Sequence, residues 1–136
     1  MNTRLATTSD ADAIFAFWQA TIAADPTFLC SPNATYPPLD NLTYWLDTGS
    51  RNICIVEDTS ILLTAVYNPS TAKIDWLRTL PTNVPTAFPL ALRFITSQCN
   101  GVGAWGFVGI VTTAQTLESV AGMTEDAQGN LRWVGP

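Results

Sequence analysis

The sequence has no histidine, and only 12% of its 136 residues are charged, about half of the roughly 25% found in typical soluble domains. Without histidine the chain cannot form a Ser-His-Asp or Cys-His nucleophile, nor a zinc site with histidine ligands. Six Lys and Arg stand against eleven Asp and Glu, giving a net charge of −5, so nucleic-acid binding through phosphate contacts is not expected. These absences exclude most hydrolase chemistry and disfavour nucleic acid as a partner.

Cysteines and long apolar runs are also scarce. The three cysteines, Cys30, Cys54 and Cys99, are widely spaced and odd in number, so the sequence predicts reduced thiols and neither a disulfide framework nor a metal site. No apolar run is long enough to span a bilayer, and the chain does not start with the basic and apolar stretches of a signal peptide. We therefore expect no membrane span and no secretion by a standard signal.

The length predicts a single domain, residues 1–136, large enough to bury a core without metals or disulfides. Hydrophobic residues make up 47% of the chain, which includes five Trp and six Phe. Few charges and many aromatics are typical of surfaces buried against another protein, and this predicts other protein subunits as partners, in a homo-oligomer or a larger assembly. The neutral surface of a monomer would have the same composition, so both alternatives stay open.

Periodicity and turn residues divide the chain into helices and strands. The predicted strands are Thr3–Ala6, Asn52–Glu57, Ile61–Tyr67, Lys73–Thr79, Trp105–Val111, Thr124–Asp126 and Leu131–Val134. The predicted helices are Thr8–Ala24, Leu39–Asp47, one from Pro85 or Phe88 to Asn100, and one from Thr112 to Gly122. Apolar runs in the middle strands predict a sheet that helices cover on both faces.

Acidic residues at the start of the first helix have a structural interpretation. Thr7 and Asp10 have a spacing like that of a capping box, in which the hydroxyl caps an early helix N–H and the carboxylate favours the positive end of the helix. Asp10 and Asp12 could also form a catalytic carboxylate pair, but acidic groups in a first helical turn are usually stabilised by the positive end of the helix dipole. We interpret both as capping groups.

Three stretches resemble the GNAT family of N-acetyltransferases. Residues 74–81, Ile-Asp-Trp-Leu-Arg-Thr-Leu-Pro, resemble the family strand I-E-x-L-x-V-x-P. Residues 4–14 are similar to the first strand and the start of the first helix, and residues 114–123 match the spacing of the fourth helix, A-x-x-L-Y-x-x-x-G-F. The resemblance implies an α/β (α+β) fold with a mixed, mainly antiparallel central sheet of about six to seven strands, flanked by about four helices.

The same resemblance implies a degenerate site for CoA. In the family, an R-x-x-G-x-G/A loop precedes the third helix; its arginine falls on Val84, its first glycine on Ala87 and its second on Pro89. Glycines let the backbone approach the phosphates, and free N–H groups at a helix start donate to them. Because Ala87 adds a methyl group and Pro89 lacks an N–H, we expect weak binding of the pyrophosphate.

Two further positions concern catalysis. Asp75 occupies the position where many family members carry a general-base glutamate, although an exposed carboxylate on a half-buried strand is the structural alternative. Glu118 stands where active members carry the tyrosine that protonates the departing thiolate. Because a glutamate is normally ionised at neutral pH, it could not donate that proton. The resemblance therefore leaves one candidate base and a degenerate acid position.

Three functions follow as hypotheses. The first is a non-catalytic structural or assembly protein without a cofactor, which the residues at Val84, Ala87, Pro89 and Glu118 favour. In size, element order and poor CoA loop, the chain also resembles the acetyltransferase-like internal virion proteins of short-tailed phages. The expected location is then the cytoplasm, or the host cytoplasm and the virion for a phage protein. The second is a divergent N-acetyltransferase that uses acetyl-CoA, with Asp75 as its base. The third is a module that binds a small molecule or a peptide.

Overall fold

A computed structural model of the chain describes residues 1–25, 37–71, 73–99, 103–105, 124–125 and 131–133. The strands within these ranges are β1 Asn2–Leu5, β2 Asn52–Glu57, β3 Ile61–Tyr67, β4 Lys73–Thr79, β5 Gly103–Trp105, β6 Thr124–Glu125 and β7 Leu131–Trp133. The α-helices are α1 Ala11–Ala24, α2 Leu39–Thr48 and α3 Val84–Cys99. The helix predicted from Thr112 to Gly122 and the predicted strand beyond Trp105 lie outside the described residues.

All seven described strands form one sheet in the order β1-β2-β3-β4-β5-β7-β6. The strands β1 to β4 form an antiparallel meander, β4 and β5 run parallel, and β7 pairs antiparallel with both β5 and β6. This is the mixed, mainly antiparallel sheet that the sequence predicted. The bounds of β2, β3 and β4 coincide with the predicted ones, because turn residues interrupt the apolar runs there.

Helices cover both faces of the sheet, as the apolar runs predicted. Alternate residues of a strand point to opposite faces, so Ile53 and Ile55 pack with α1 and α2, whereas Cys54 and Val56 pack with α3. The core on the α1 and α2 face includes Ile14, Trp18, Leu42, Val66 and Trp76. The core on the α3 face includes Leu63, Ile74, Leu77, Val84, Ala87, Phe88, Ala91, Leu92 and Ile95.

A 3-10 turn, Thr8–Asp10, leads from β1 into α1. The Asp10 carboxylate accepts a hydrogen bond from the Thr7 backbone N–H at 2.8 Å, and the pair forms a capping box, which confirms the structural interpretation of Asp10. Arg4 donates to both Asp10 oxygens at 2.8 and 2.9 Å and through Nε to Glu57 at 3.0 Å. The arginine therefore connects β1, the 3-10 turn and β2.

The ion pair also changes the titration of Asp10. The hydrogen bonds from Arg4, the strongest influence, and from Thr7 lower the pKa of Asp10 from 3.8 to about 2. The carboxylate is consequently ionised at any physiological pH, because its charged form accepts these bonds. Such a group stabilises a helix start and could not serve as a proton donor.

Candidate functional site

A β-bulge interrupts β4 at the candidate base. Val66 of β3 pairs with Trp76, whereas the next residue, Tyr67, pairs with Ile74, so Asp75 is the extra residue between them. On the other side of β4, Lys73 and Ile74 pair with the parallel strand β5. Bulges redirect the side chains of a strand and are frequent next to active sites. Asp75 thus lies at an irregular point of a central strand, beside the one parallel pair among the described strands.

Trp76 follows the bulge and packs on the α1 side of the sheet. Its ring meets that of Trp18 edge to face, with centroids 4.6 Å apart and an interplanar angle of 67°. The Trp18 indole N–H donates to the Thr64 hydroxyl at 2.8 Å, whereas the buried Trp76 Nε1 has no hydrogen-bond partner among the described residues. The two rings fix the distance between β4 and α1 near the bulge.

Arg78, two residues further along β4, holds the C-terminal end of α1. Its side chain is buried, and its Nε donates to the Thr21 hydroxyl at 2.8 Å. Its Nη2 donates to the backbone carbonyls of Thr21 and, at 3.0 Å, of Asp25. These carbonyls belong to the negative end of the helix dipole, which a guanidinium stabilises.

Sequence reasoning did not assign a role to Arg78. A signal was present, because Arg78 stands within the apolar strand Lys73–Thr79, and an arginine is rarely buried unless it is paired. The structure pairs it with a helix end that is distant in sequence, and no local pattern identifies that partner.

The three positions of the predicted CoA loop are helical. A 3-10 turn, Pro81–Asn83, follows β4, and α3 begins at Val84, one residue before the predicted Pro85. The side chains of Val84 and Ala87 are fully buried in the core beneath α3, and Pro89 lies inside the helix. The connection between β4 and α3 is therefore short. Pro81 has a fixed φ that suits the first position of a helical turn.

The start of α3 offers few backbone donors. Pro81 and Pro85 have no N–H, the Asn83 N–H donates to the Leu80 carbonyl at 2.9 Å, and the Val84 N–H donates to the Pro81 carbonyl. Of the five backbone nitrogens of residues 81–85, only that of Thr82 neither belongs to a proline nor donates one of these two hydrogen bonds. Residues 81–85 therefore present few free N–H groups of the kind that bind phosphate at a helix start.

The described residues give no support for thiol chemistry or for a metal site. Burial raises the pKa of the Cys54 thiol to about 12, so it does not supply a thiolate at neutral pH. No group of three or more described His, Cys, Asp or Glu side chains could hold a metal ion. None of the described helices combines the length and apolar character needed to cross a membrane. Glu118, the degenerate acid position, lies outside the described residues.

A shallow groove of about 540 Å³ lies elsewhere, between α1 and the turn that joins β2 and β3. Its lining consists of small or apolar side chains apart from one serine: Ala13, Ala16, Phe17, Ala20, Ser60 and Ile61. No residue of β4 contributes to it, so the groove is separate from the bulge and from the start of α3.

Comparison with solved structures identifies the fold. The chain superimposes on a ribosomal-protein-alanine N-acetyltransferase from Brucella melitensis with a TM-score of 0.67 and 15% identity, covering 98% of this chain and 99% of that one. An N-acetyltransferase from Staphylococcus aureus Mu50 gives 0.61 and 12% over 97% and 96%. A probable acetyltransferase from Staphylococcus epidermidis gives 0.59 and 12% over 96% and 93%.

These similarities extend over nearly the whole chain, and the chain has the GNAT fold. No family model matches the sequence, and no curated protein matches it. At these identities the likeness establishes the fold, and the chemistry has to be argued from the site itself.

Proposed function

We propose that this chain is a divergent GNAT-type N-acyltransferase, which transfers an acetyl group from a thioester donor to an amine. The observation that carries the proposal is the bulge in β4, which sets Asp75 at an irregular point of the central strand next to the parallel pair with β5. The similarity to acetyltransferases over the full length of the fold supports it.

The chemistry assigned to the site is direct acyl transfer. The nitrogen of the acceptor amine attacks the thioester carbonyl carbon, so that a C–N bond forms and the C–S bond breaks. Asp75 takes the proton that the attacking amine loses, acting as the general base. The leaving thiolate takes a proton from water, and Asp75 returns its proton to the solvent, so that the net reaction forms an amide and a free thiol. No acid is then required at Glu118.

The test is release of free thiol from acetyl-CoA in the presence of a panel of amines and peptide N-termini. Asp75→Asn should lower kcat by about 100-fold or more, the usual contribution of a general base. Asp12→Asn, which changes an exposed carboxylate in the first turn of α1, is the matched control and should keep full activity. If the wild-type chain releases no thiol above background with any acceptor, the proposal fails; if Asp75→Asn is fully active, another group is the base.

A non-catalytic assembly protein is the second candidate. The observation in its favour is the start of α3, where two prolines lack N–H groups and two other N–H groups are bonded internally. A virion component is a narrower form of this hypothesis, and a module that binds a small molecule or a peptide stays a separate, third hypothesis. Analytical ultracentrifugation separates the assembly protein from the enzyme: a large homo-oligomer that releases no thiol would favour assembly, whereas an active monomer would exclude it.

A further inference from the structure

The start of α3 has a consequence for the acyl donor. Acetyl-CoA carries a pyrophosphate and a 3′-phosphate on its nucleotide, and proteins bind such groups with cationic side chains and free backbone N–H groups. At residues 81–85 the two prolines and the bonded N–H groups of Asn83 and Val84 leave only Thr82 as a donor not accounted for. The side chains of Val84 and Ala87 are buried in the core and provide no polar group.

The start of α3 also has no Lys or Arg residue. The chain has six Lys and Arg residues, and three of them belong to the opposite end of the sheet. Lys73 begins β4 and pairs with Ala104, which in turn pairs with Arg132. Arg51 precedes the first residue of β2. Since α3 follows the far end of β4, about 20 Å of strand separates Lys73 from the start of the helix.

The remaining three arginines are bonded to other groups or lie away from the start of α3. Arg78 is buried on the α1 face and donates to the end of α1, whereas α3 covers the other face. Arg4 is bonded to Asp10 and Glu57. Arg93 lies on the exposed side of α3, nine residues and about 14 Å along the helix from Val84. None of the six is placed at the start of α3.

We infer that the donor is recognised through its acyl and pantetheine parts and not through its nucleotide. This rests on the proposed function and narrows the substrate class to pantetheine-type thioesters, for which the 3′-phospho-ADP of CoA contributes no binding. The transfer step is unchanged: the amine nitrogen bonds to the carbonyl carbon, the C–S bond breaks, and the pantetheine thiol is released.

Donor selectivity tests the inference. Acetyl-CoA and S-acetylpantetheine share the thioester and the pantetheine arm, so kcat/KM should agree within about threefold, because no phosphate contact distinguishes them. A preference of about tenfold or more for acetyl-CoA would overturn the inference and leave the proposed function intact. If neither donor is used, the proposed function itself fails.

A pair of variants with equal charge sharpens the test. Thr82→Arg introduces a guanidinium at an exposed position of the 3-10 turn before α3. It should raise the ratio of kcat/KM for acetyl-CoA over S-acetylpantetheine by about fivefold, the order expected for one new charged contact. Ser70→Arg adds the same charge at the exposed turn between β3 and β4, at the other end of the sheet, and should leave the ratio unchanged. A lower ratio in well-folded Thr82→Arg than in the wild type would contradict the inference, because it would show that Thr82 already contributes to binding of the nucleotide.

Discussion

Two helices of this fold, α1 and α3, begin in the same way and are stabilised by different means. Each follows a strand through a three-residue 3-10 turn, Thr8–Asp10 before α1 and Pro81–Asn83 before α3. The α1 turn is held by the ion pairs and the capping box of Asp10. The α3 turn has no charged group; it is held by prolines and by the burial of the first residues of the helix.

The difference shows that one backbone geometry can be stabilised either by polar bonds or by rigid and apolar residues. The polar arrangement at α1 presents charged groups to solvent, so its contribution to stability depends on pH and salt. The apolar arrangement at α3 lacks N–H groups that an anion would bind, because prolines occupy those positions. The following predictions measure how much each arrangement contributes to stability, from the largest expected effect to the smallest.

The largest effect is expected in the core beneath α3. Phe88 is fully buried there, and Phe88→Ala should lower the free energy of unfolding by about 3–5 kcal/mol, because it removes apolar contacts and leaves a cavity. Urea unfolding followed by circular dichroism measures it. Arg93→Ala, on the exposed side of the same helix, is the control and should change stability by about 0.5 kcal/mol or less. A loss below about 1 kcal/mol for Phe88→Ala would show that burial does not hold α3.

Asp10→Ala should have an intermediate effect. It removes the cap of the α1 turn and the carboxylate that accepts the two bonds from the Arg4 Nη atoms, and we expect a loss of about 1–2 kcal/mol. Arg4 is 40% exposed, so solvent screens its ion pairs and keeps the loss moderate. Asp12→Ala is the matched control, since this residue lies exposed in the first turn of α1. Equal losses in the two variants would show that neither the cap nor the Arg4 bonds add to stability.

The pH dependence of stability isolates the same carboxylate. Because the folded pKa of Asp10 lies near 2 and its ordinary value is 3.8, the unfolded chain binds the proton more readily between these values. The stabilisation is complete above about pH 4 and is lost as the pH falls towards 2. The slope of unfolding free energy against pH in this window should be smaller in Asp10→Asn than in the wild type. Parallel curves would mean that Asp10 is not ion-paired in solution.

The smallest effect is expected at Pro85, which is exposed in the first turn of α3. Pro85→Ala should lower the free energy of unfolding by about 0.5–1 kcal/mol, since alanine gives the unfolded chain more conformational freedom. Thermal melting is the measurement, and Thr86→Ala at the next exposed position is the control. A stabilised Pro85→Ala variant would show that the proline is strained at this position.

The sequence predicted the fold to the extent that local signals determine it. The turn residues before Ile61 and Lys73 set the strand bounds, and helical spacing identified Phe88, Ala91, Leu92 and Ile95 as a buried stripe, which the structure confirms. The capping box of Thr7 and Asp10 was likewise visible, because both partners lie within four residues. These features need no knowledge of distant contacts.

The candidate site was less predictable, because its features depend on contacts between distant segments. The bulge at Asp75 appears only when the β4 register is set against β3, and the bonds of Arg78 join residues 57 positions apart. The substitutions at Val84, Ala87 and Pro89 were visible in sequence, and a helix start at Pro85 would already include Ala87 and Pro89, whereas only the structure places Val84 in α3. The roles of Asp75 and Glu118 in catalysis stay predictions.

The Trp18–Trp76 pair provides an optical reporter. Two indoles with centroids 4.6 Å apart and planes at 67° are close enough for their excited states to couple, and the fixed angle makes that coupling chiral. The near-ultraviolet circular dichroism of the chain therefore contains a signal that depends on the separation of β4 from α1. A ligand that moves β4 relative to α1 should change this signal without any label.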